Sequence, residues 1–288
     1  MSTQALFGQL LIGLINGSFY ALLSLGLAVI FGLLNIINFT HGAQYMLGAF
    51  VAWFLLNKAG LGYWWALAIV PFAVGATGMV IERLMLKHLY KLDHLYGLLL
   101  TFGLALVIEG IFNNQFGSAG LPYSMPENLT GGYNLGFMFL PTYRAWVIAA
   151  SLVICLGTWF LIERTRLGAY LRAATENPAL VQAFGINVPR MITLTYGFGV
   201  GLAGLAGVFA APIYQVSPQM GSSLIIVVFA VVVIGGMGSI LGSIVTGFGL
   251  GIVEGLTKYF YPEASSTVIF VIMAIVLMIR PQGLFGQR

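Results

Sequence analysis

Five hydrogen-bonding side chains crowd one ten-residue window: Asn35, Asn38, Thr40, His41 and Gln44 in "NIINFTHGAQ". The window interrupts a stretch with no Asp, Glu, Lys or Arg before Lys58. Polar groups at membrane depth are expensive unless they find partners or face an aqueous cavity, so they are functional candidates by default. Asn38 or Thr40 can N-cap the helix that follows, leaving its free N–H groups pointing at whatever fills the break. Helix N-termini at such interruptions receive anionic groups, and a carboxylate suits that place. Two other readings stay open. The break is a cytoplasmic turn between two spans, or the side chains hydrogen-bond neighbouring helices as packing contacts. His41 has no second His, Cys or acid nearby, so no metal site is expected.

A second break is expected at "GGMGS", where Gly235, Gly236, Gly238 and Ser239 are predicted to be unwound and to line a pathway. From there a small residue recurs every fourth position: Gly235, Ser239, Ser243, Gly247, Gly251 and Gly255. Gly197, Gly201, Gly204 and Gly207 form a similar cluster. Such faces let helices pack backbone to backbone, and smooth faces also permit sliding. Two acids lie in apolar context. Glu254 precedes Lys258 by four residues, the favourable order for an ion pair on a helix. Glu109 sits a turn or two from the outer end of its span. A structural role is favoured for both, although a Glu109 facing a pathway could meet an ammonium group.

Enzymatic chemistry finds no support. HExxH, GxSxG, paired acids and a P-loop are all missing, and the single Cys155 lies in an apolar run without a basic partner. No catalytic residues are expected, and one cysteine excludes a disulfide.

The most polar long stretch, "LRAATENPALVQAFGINVPR" (171–190), carries complete helix punctuation. Asn177 can N-cap, Pro178 suits the first helical position, and Glu176 places negative charge near the positive end of the dipole. Gly185 can take the left-handed conformation that ends a helix, and Pro189 hinders resumption. The helix is predicted at Pro178 to Phe184, two turns and marginal alone in water. Leu180, Val181 and Phe184 form an apolar side with no evident intramolecular cover. It is either an interfacial helix on lipid headgroups or a knob for a cytoplasmic partner.

The elements that must position these groups follow from composition. The 288 residues are 59% hydrophobic and 7% charged, with a mean hydropathy of +0.97. Soluble domains carry about 25% charged residues. The fold class is therefore all-α, a polytopic membrane helix bundle of eight or nine spans in a single transmembrane domain, 1–288. Spans are predicted near 8–33, 41–57, 63–82, 96–116, 144–163, 191–213, 224–237, 240–257 and 266–280. Eight would result if 224–257 were one bent or re-entrant unit. Linkers 83–95 and 164–190, with the C-terminus, hold nine of the twelve Lys and Arg residues. The positive-inside rule puts those three segments in the cytoplasm, with the N-terminus outside. The linker 117–143, with three prolines and no Lys or Arg, is expected outside, as a solvated loop or a docking surface. No cleavable leader is expected, since a basic n-region is missing. The net charge of +4 fits cytoplasmic loops rather than nucleic acid.

The polar linker, with Ala173-Ala174, Gly185 and "INVP", resembles the coupling loop of ATP-binding-cassette importer permeases. "GLLNIINFTHGAQYMLGAF", "RLGAYLRAATENPALVQAFGIN", "GGMGSILGSIVTG" and "RPQGLFG" extend the resemblance over essentially the whole chain, to the branched-chain amino acid permease family and its first of two homologous subunits. Arg172 stands where the coupling loop usually has an acid before the two alanines. The resemblance implies a bacterial inner-membrane importer of branched-chain amino acids, or of urea, amides or aromatic acids. It implies as partners a homologous second permease, two cytoplasmic ATP-binding subunits and a periplasmic substrate-binding protein. ATP and Mg would bind the ATPase, with no cofactor in this chain. Glu176, Asn177, Pro178, Leu180, Val181, Phe184 and Gly185 would couple to it. The alternative is an ion-coupled secondary transporter, for which deep ionisable residues are few.

Overall fold

The computed structural model describes residues 3–34, 37–90, 92–136 and 138–286. Eleven α-helices are found among them: α1 (Thr3–Leu34), α2 (Thr40–Asn57), α3 (Tyr63–Leu84), α4 (His94–Phe116), α5 (Thr142–Arg164), α6 (Arg166–Glu176), α7 (Pro178–Ala183), α8 (Val188–Ala210), α9 (Ser222–Gly235), α10 (Ile240–Phe260) and α11 (Val268–Ile279). Seven apolar stretches, built on α1, α3, α4, α5, α8, α9 and α10, are long and apolar enough to cross a membrane. α2, with its polar head, and the twelve-residue α11 fall outside that set. The chain is an all-α polytopic bundle, as a charge-poor sequence must be where hydrocarbon offers the backbone no water.

α1 and α8 are the most enclosed helices and α4 the least. α1 runs antiparallel to α10: Gly13 meets Gly251, Gly17 meets Gly247 and Phe248, Ser24 reaches the Ser243 carbonyl, and Gly32 meets Gly238. A Cβ at Gly13 would lie 2.4 Å from the Gly251 carbonyl oxygen, so this contact admits only glycine. α8 uses two sides of its own glycine cluster. Gly197 and Gly201 lie against Gly75 and Pro71 of α3, while Gly204 and Gly207 receive Gly48 and Tyr45 of α2. The predicted small-residue faces thus serve close packing among the protomer's own helices.

The antiparallel pairing sets the α1 N-terminus at one end of the bundle. The end of α1, the start of α10, helix α6 and the C-terminal Phe285 gather at the other, around a cavity of about 340 Å3. Beyond the first end, residues 132–134 and 139–141 pair as a small antiparallel ladder, with Tyr133 opposite Leu140. An isolated bridge joins Leu121 to Val216. Tyr143 ties this end together, its hydroxyl lying 3.1 Å from the Tyr63 hydroxyl and 3.0 Å from the Phe209 carbonyl.

Because the α1–α10 contact is backbone on backbone, Gly251→Val should force the helices apart. Overpacked sites typically cost ~1–3 kcal/mol. Gly249, on the same helix, has no atom within 4 Å of a built Cβ, so Gly249→Val is the matched control. Thermal unfolding in detergent should show a lower midpoint for Gly251→Val alone; equal midpoints would refute the packing assignment.

Candidate functional site

The first break lies between α1 and α2. Asn35 falls outside the described residues; the others are enclosed, with Asn38, Thr40, His41 and Gln44 at most 1% exposed. The break follows the end of α1, and the head of α2 folds back along that helix. The His41 ring packs on Gly26, and its Nε2 lies 3.0 Å from the Leu23 carbonyl, well inside α1. A carbonyl only accepts, so Nε2 carries the proton and Nδ1 is left as an acceptor.

Neither predicted capping residue caps α2. Phe39 occupies the N-cap position with no side-chain bond. Asn38 instead donates to Gln44 Oε1 at 3.4 Å, and the Thr40 hydroxyl donates to the Thr101 carbonyl at 2.9 Å. The physical reason is a neighbouring helix. Thr101 of α4 accepts from the Phe39 N–H at 3.2 Å, and its own hydroxyl proton points at the Ile37 and Leu98 carbonyls, each 3.1 Å away. One threonine therefore repairs the exposed backbone. Two polar atoms behind it, Asn38 Oδ1 and His41 Nδ1, have no partner among the described residues. Tyr196 of α8 faces Gln44.

The second break is unwound from Gly236 to Ser239, but Gly235, expected in it, is the last residue of α9. Gly236 and Gly238 have φ of 106° and 86°, conformations that favour glycine. Ser239 caps α10, its hydroxyl accepting from the Gly242 N–H at 3.1 Å. Leu284 and Phe285 donate backbone N–H groups to the Ile234 and Gly235 carbonyls at 2.8 and 3.0 Å, so the C-terminal segment closes the end of α9. Gly238 and Ser239 line the 340 Å3 cavity with Gly32, Thr195 and Arg172. Asn38, His41 and Gln44 do not line it. The two breaks are neighbours through α1, not one chamber.

The polar linker folds into α6, α7 and the start of α8. Asn177 Oδ1 accepts from the Leu180 N–H at 3.0 Å, Pro178 opens α7, and Gly185 follows it at φ 83°. Phe184 is the C-cap rather than the last helical residue. Asn187 repeats the device for α8, accepting from the Arg190 N–H at 3.0 Å. The expected uncovered face is divided. Val181 is buried against Leu171, Ala174, Val188 and Met191, which hold the short helix in place. Leu180 and Phe184 project outward, 54% and 78% exposed, and Glu176 and Pro178 are exposed beside them. Arg172 turns back to Glu163 at 3.3 Å.

Three groups escaped the sequence reading. Thr101 is an ordinary residue within an apolar run. Tyr196 lies amid glycines. Glu82 is buried, accepting from the Tyr90 hydroxyl and from Thr193 Oγ1 at 2.7 Å. It ties α3 to the first turns of α8. Its position at the end of the predicted span 63–82, beside Val80 and Ile81, was the available signal. Glu254 does not pair with Lys258; it accepts from the Tyr20 hydroxyl at 2.7 Å.

A bundle with seven helices long and apolar enough to cross a membrane, and a short capped helix between two of them, is a multi-pass membrane protein. The chain belongs to the family described as "Branched-chain amino acid transport system / permease component", which it matches over residues 9–277. It is 29% identical to the high-affinity branched-chain amino acid transport system permease protein LivH of Escherichia coli (strain K12), over 100% of this chain and 98% of that protein. The corresponding BraD permease of Pseudomonas aeruginosa is also 29% identical, over 97% and 95%. The LivM permease of Escherichia coli (strain K12) is 28% identical over 92% of this chain and 67% of its own. No solved structure matches the chain.

Thr101→Val should leave the Phe39 N–H and the Ile37 carbonyl unpaired in the bundle. Each such buried group costs ~1–3 kcal/mol. A clear fall in the thermal midpoint is expected, with Thr101→Ser close to wild type. A valine variant as stable as the parent would remove Thr101 from its role.

Proposed function

We propose that this chain is a membrane-spanning permease subunit of an ATP-binding-cassette importer carrying branched-chain or related hydrophobic amino acids. The observation that carries the reading is α7: a capped helix fixed from below by Val181 and offering Leu180 and Phe184 to a partner. An apolar pair on a rigid base suits insertion into a cleft of an ATPase better than lying on headgroups, since α7 has no Lys or Arg of its own. Family membership and the names of the relatives support the cargo class. The likeness to LivM supports a second, homologous permease as partner. Two cytoplasmic ATP-binding subunits, which would bind ATP and Mg, and a periplasmic substrate-binding protein complete the assembly. The chain itself is not an enzyme and holds no cofactor. The end bearing the basic linkers is cytoplasmic, the α1 N-terminus faces outward, and the membrane is the bacterial inner membrane.

On this reading ATPase closure pushes α7. Val181 bears on Val188 and Met191, so the push reaches α8 directly. α8 meets α2 and α3 backbone to backbone, with Glu82 holding α3 to its base. Asn38, Thr40, His41 and Gln44 act on the pathway by fixing the head of α2, and Gly235, Gly236, Gly238 and Ser239 by shaping its cytoplasmic end.

Phe184→Asp places a charge on the proposed docking face without touching the core. Purification should yield a folded subunit with at least about tenfold less co-purifying ATPase, the loss expected of an interface anchor worth more than ~1.4 kcal/mol. Full association together with normal ATP-driven uptake would eliminate α7 as the coupling element.

A further inference from the structure

The head of α2 has two sides. Asn38, His41 and Gln44 face inward among α1 and α8. Phe39 and Gly42 face the other way, into a groove of about 240 Å3 between α2, α4 and α9. Its lining also includes Phe102, Glu109, Ser222 and Ile225, so it is apolar except for one carboxylate and one hydroxyl. Phe39 packs against Phe102 and Phe229 with ring centroids 6.0 Å apart in each pair, forming an aromatic floor. The volume lies below the ~300 Å3 lower bound for sites taking drug-sized ligands. It suits a solute the size of one amino acid.

Glu109 is the unexplained group. It is only partly covered, and its nearest polar partner is the Ser222 hydroxyl at 3.4 Å, which also reaches the Gln219 carbonyl at 3.0 Å. No Lys or Arg lies within ion-pair distance of it among the described residues. A carboxylate toward hydrocarbon is strongly unfavourable, so a span bearing one turns it to protein or to water. The rest of that face agrees. One turn outward on α4, Asn113 is exposed, and Gln219 contacts it at 3.4 Å. Glu109, Asn113, Gln219, Ser222 and Ser223 thus make a polar strip up the outer half of an apolar helix pair. The inner half, at Phe102 and Ile225, is apolar. An uncompensated anion above an aromatic and aliphatic floor complements a molecule with a cationic end and an apolar end.

We propose that this groove is the cargo-contacting face of the protomer: Glu109 receives the α-ammonium of a hydrophobic amino acid, and Phe39, Phe102 and Ile225 receive its side chain. This deepens, and rests on, the reading of the chain as an importer permease. The polar cluster at the α2 head then acts from behind, holding Phe39 and Gly42 at the groove's floor.

The test uses the assembled transporter in vesicles, with leucine as cargo. First, Leu106→Cys, on the groove's lining but outside the proposed contacts, is exposed to a cationic, membrane-impermeant thiosulfonate. The native Cys155 is fully buried, which keeps the background low. Labelling that slows under saturating leucine during ATP turnover is expected. No labelling, or labelling indifferent to leucine, overturns the proposal, because the groove is then closed by lipid or by a partner. Second, Glu109→Gln should lower leucine uptake about tenfold, the loss expected of one charge-assisted hydrogen bond, with partial recovery in Glu109→Asp and unchanged thermal midpoint and ATPase association. Uptake unaffected in Glu109→Gln also overturns it. If the unmodified assembly shows no ATP-driven leucine uptake, the importer reading fails instead, and the two failures are distinct.

Discussion

Everything in this bundle answers to one constraint: backbone broken at membrane depth must find its hydrogen-bond partners within the protein. The chain breaks twice among helices nearly free of charge, and each break is repaired from elsewhere in the sequence. Thr101 of α4 serves the segment leading into α2. The Leu284 and Phe285 amides serve the end of α9. Separately, glycines on α1, α2, α8 and α10 bring backbones into contact.

That constraint also divides labour along α2. A helix starting inside the bundle cannot be anchored by water, so the polar residues at its head are spent on the protein. On the opposite side Phe39 and Gly42 line the groove between α2, α4 and α9. The same head faces α8 through Tyr196, and α8 follows α7 after residues 184–187.

Much of this was legible from residue types. Charge-free runs announced a helical membrane bundle, and Asn177, Pro178 and Gly185 marked α7 almost to the residue. "GGMGS" announced an unwound turn. What stayed hidden depended on contacts distant in sequence. Thr101 carries no local signal, because its role exists only where α4 crosses the α1–α2 segment. Asn38 and Thr40 looked like caps because capping is a local device; bonds to Gln44 and Thr101 took its place. Val181 shared an apolar side with Leu180 and Phe184, and only the fold of α6 and α8 beneath it separates an anchor from two docking residues. The Glu254–Lys258 spacing promised an ion pair, but Tyr20, from the far end of the chain, took the carboxylate.

The central claim is that this bundle is moved from outside, through α7, and has no energy coupling of its own. Vesicles holding the purified chain alone, under a proton or sodium gradient and without nucleotide, test it most directly. The account predicts no accumulation of leucine there, and accumulation only once ATP-binding subunits, the second permease and ATP are supplied. Gradient-driven accumulation by the chain alone would contradict it.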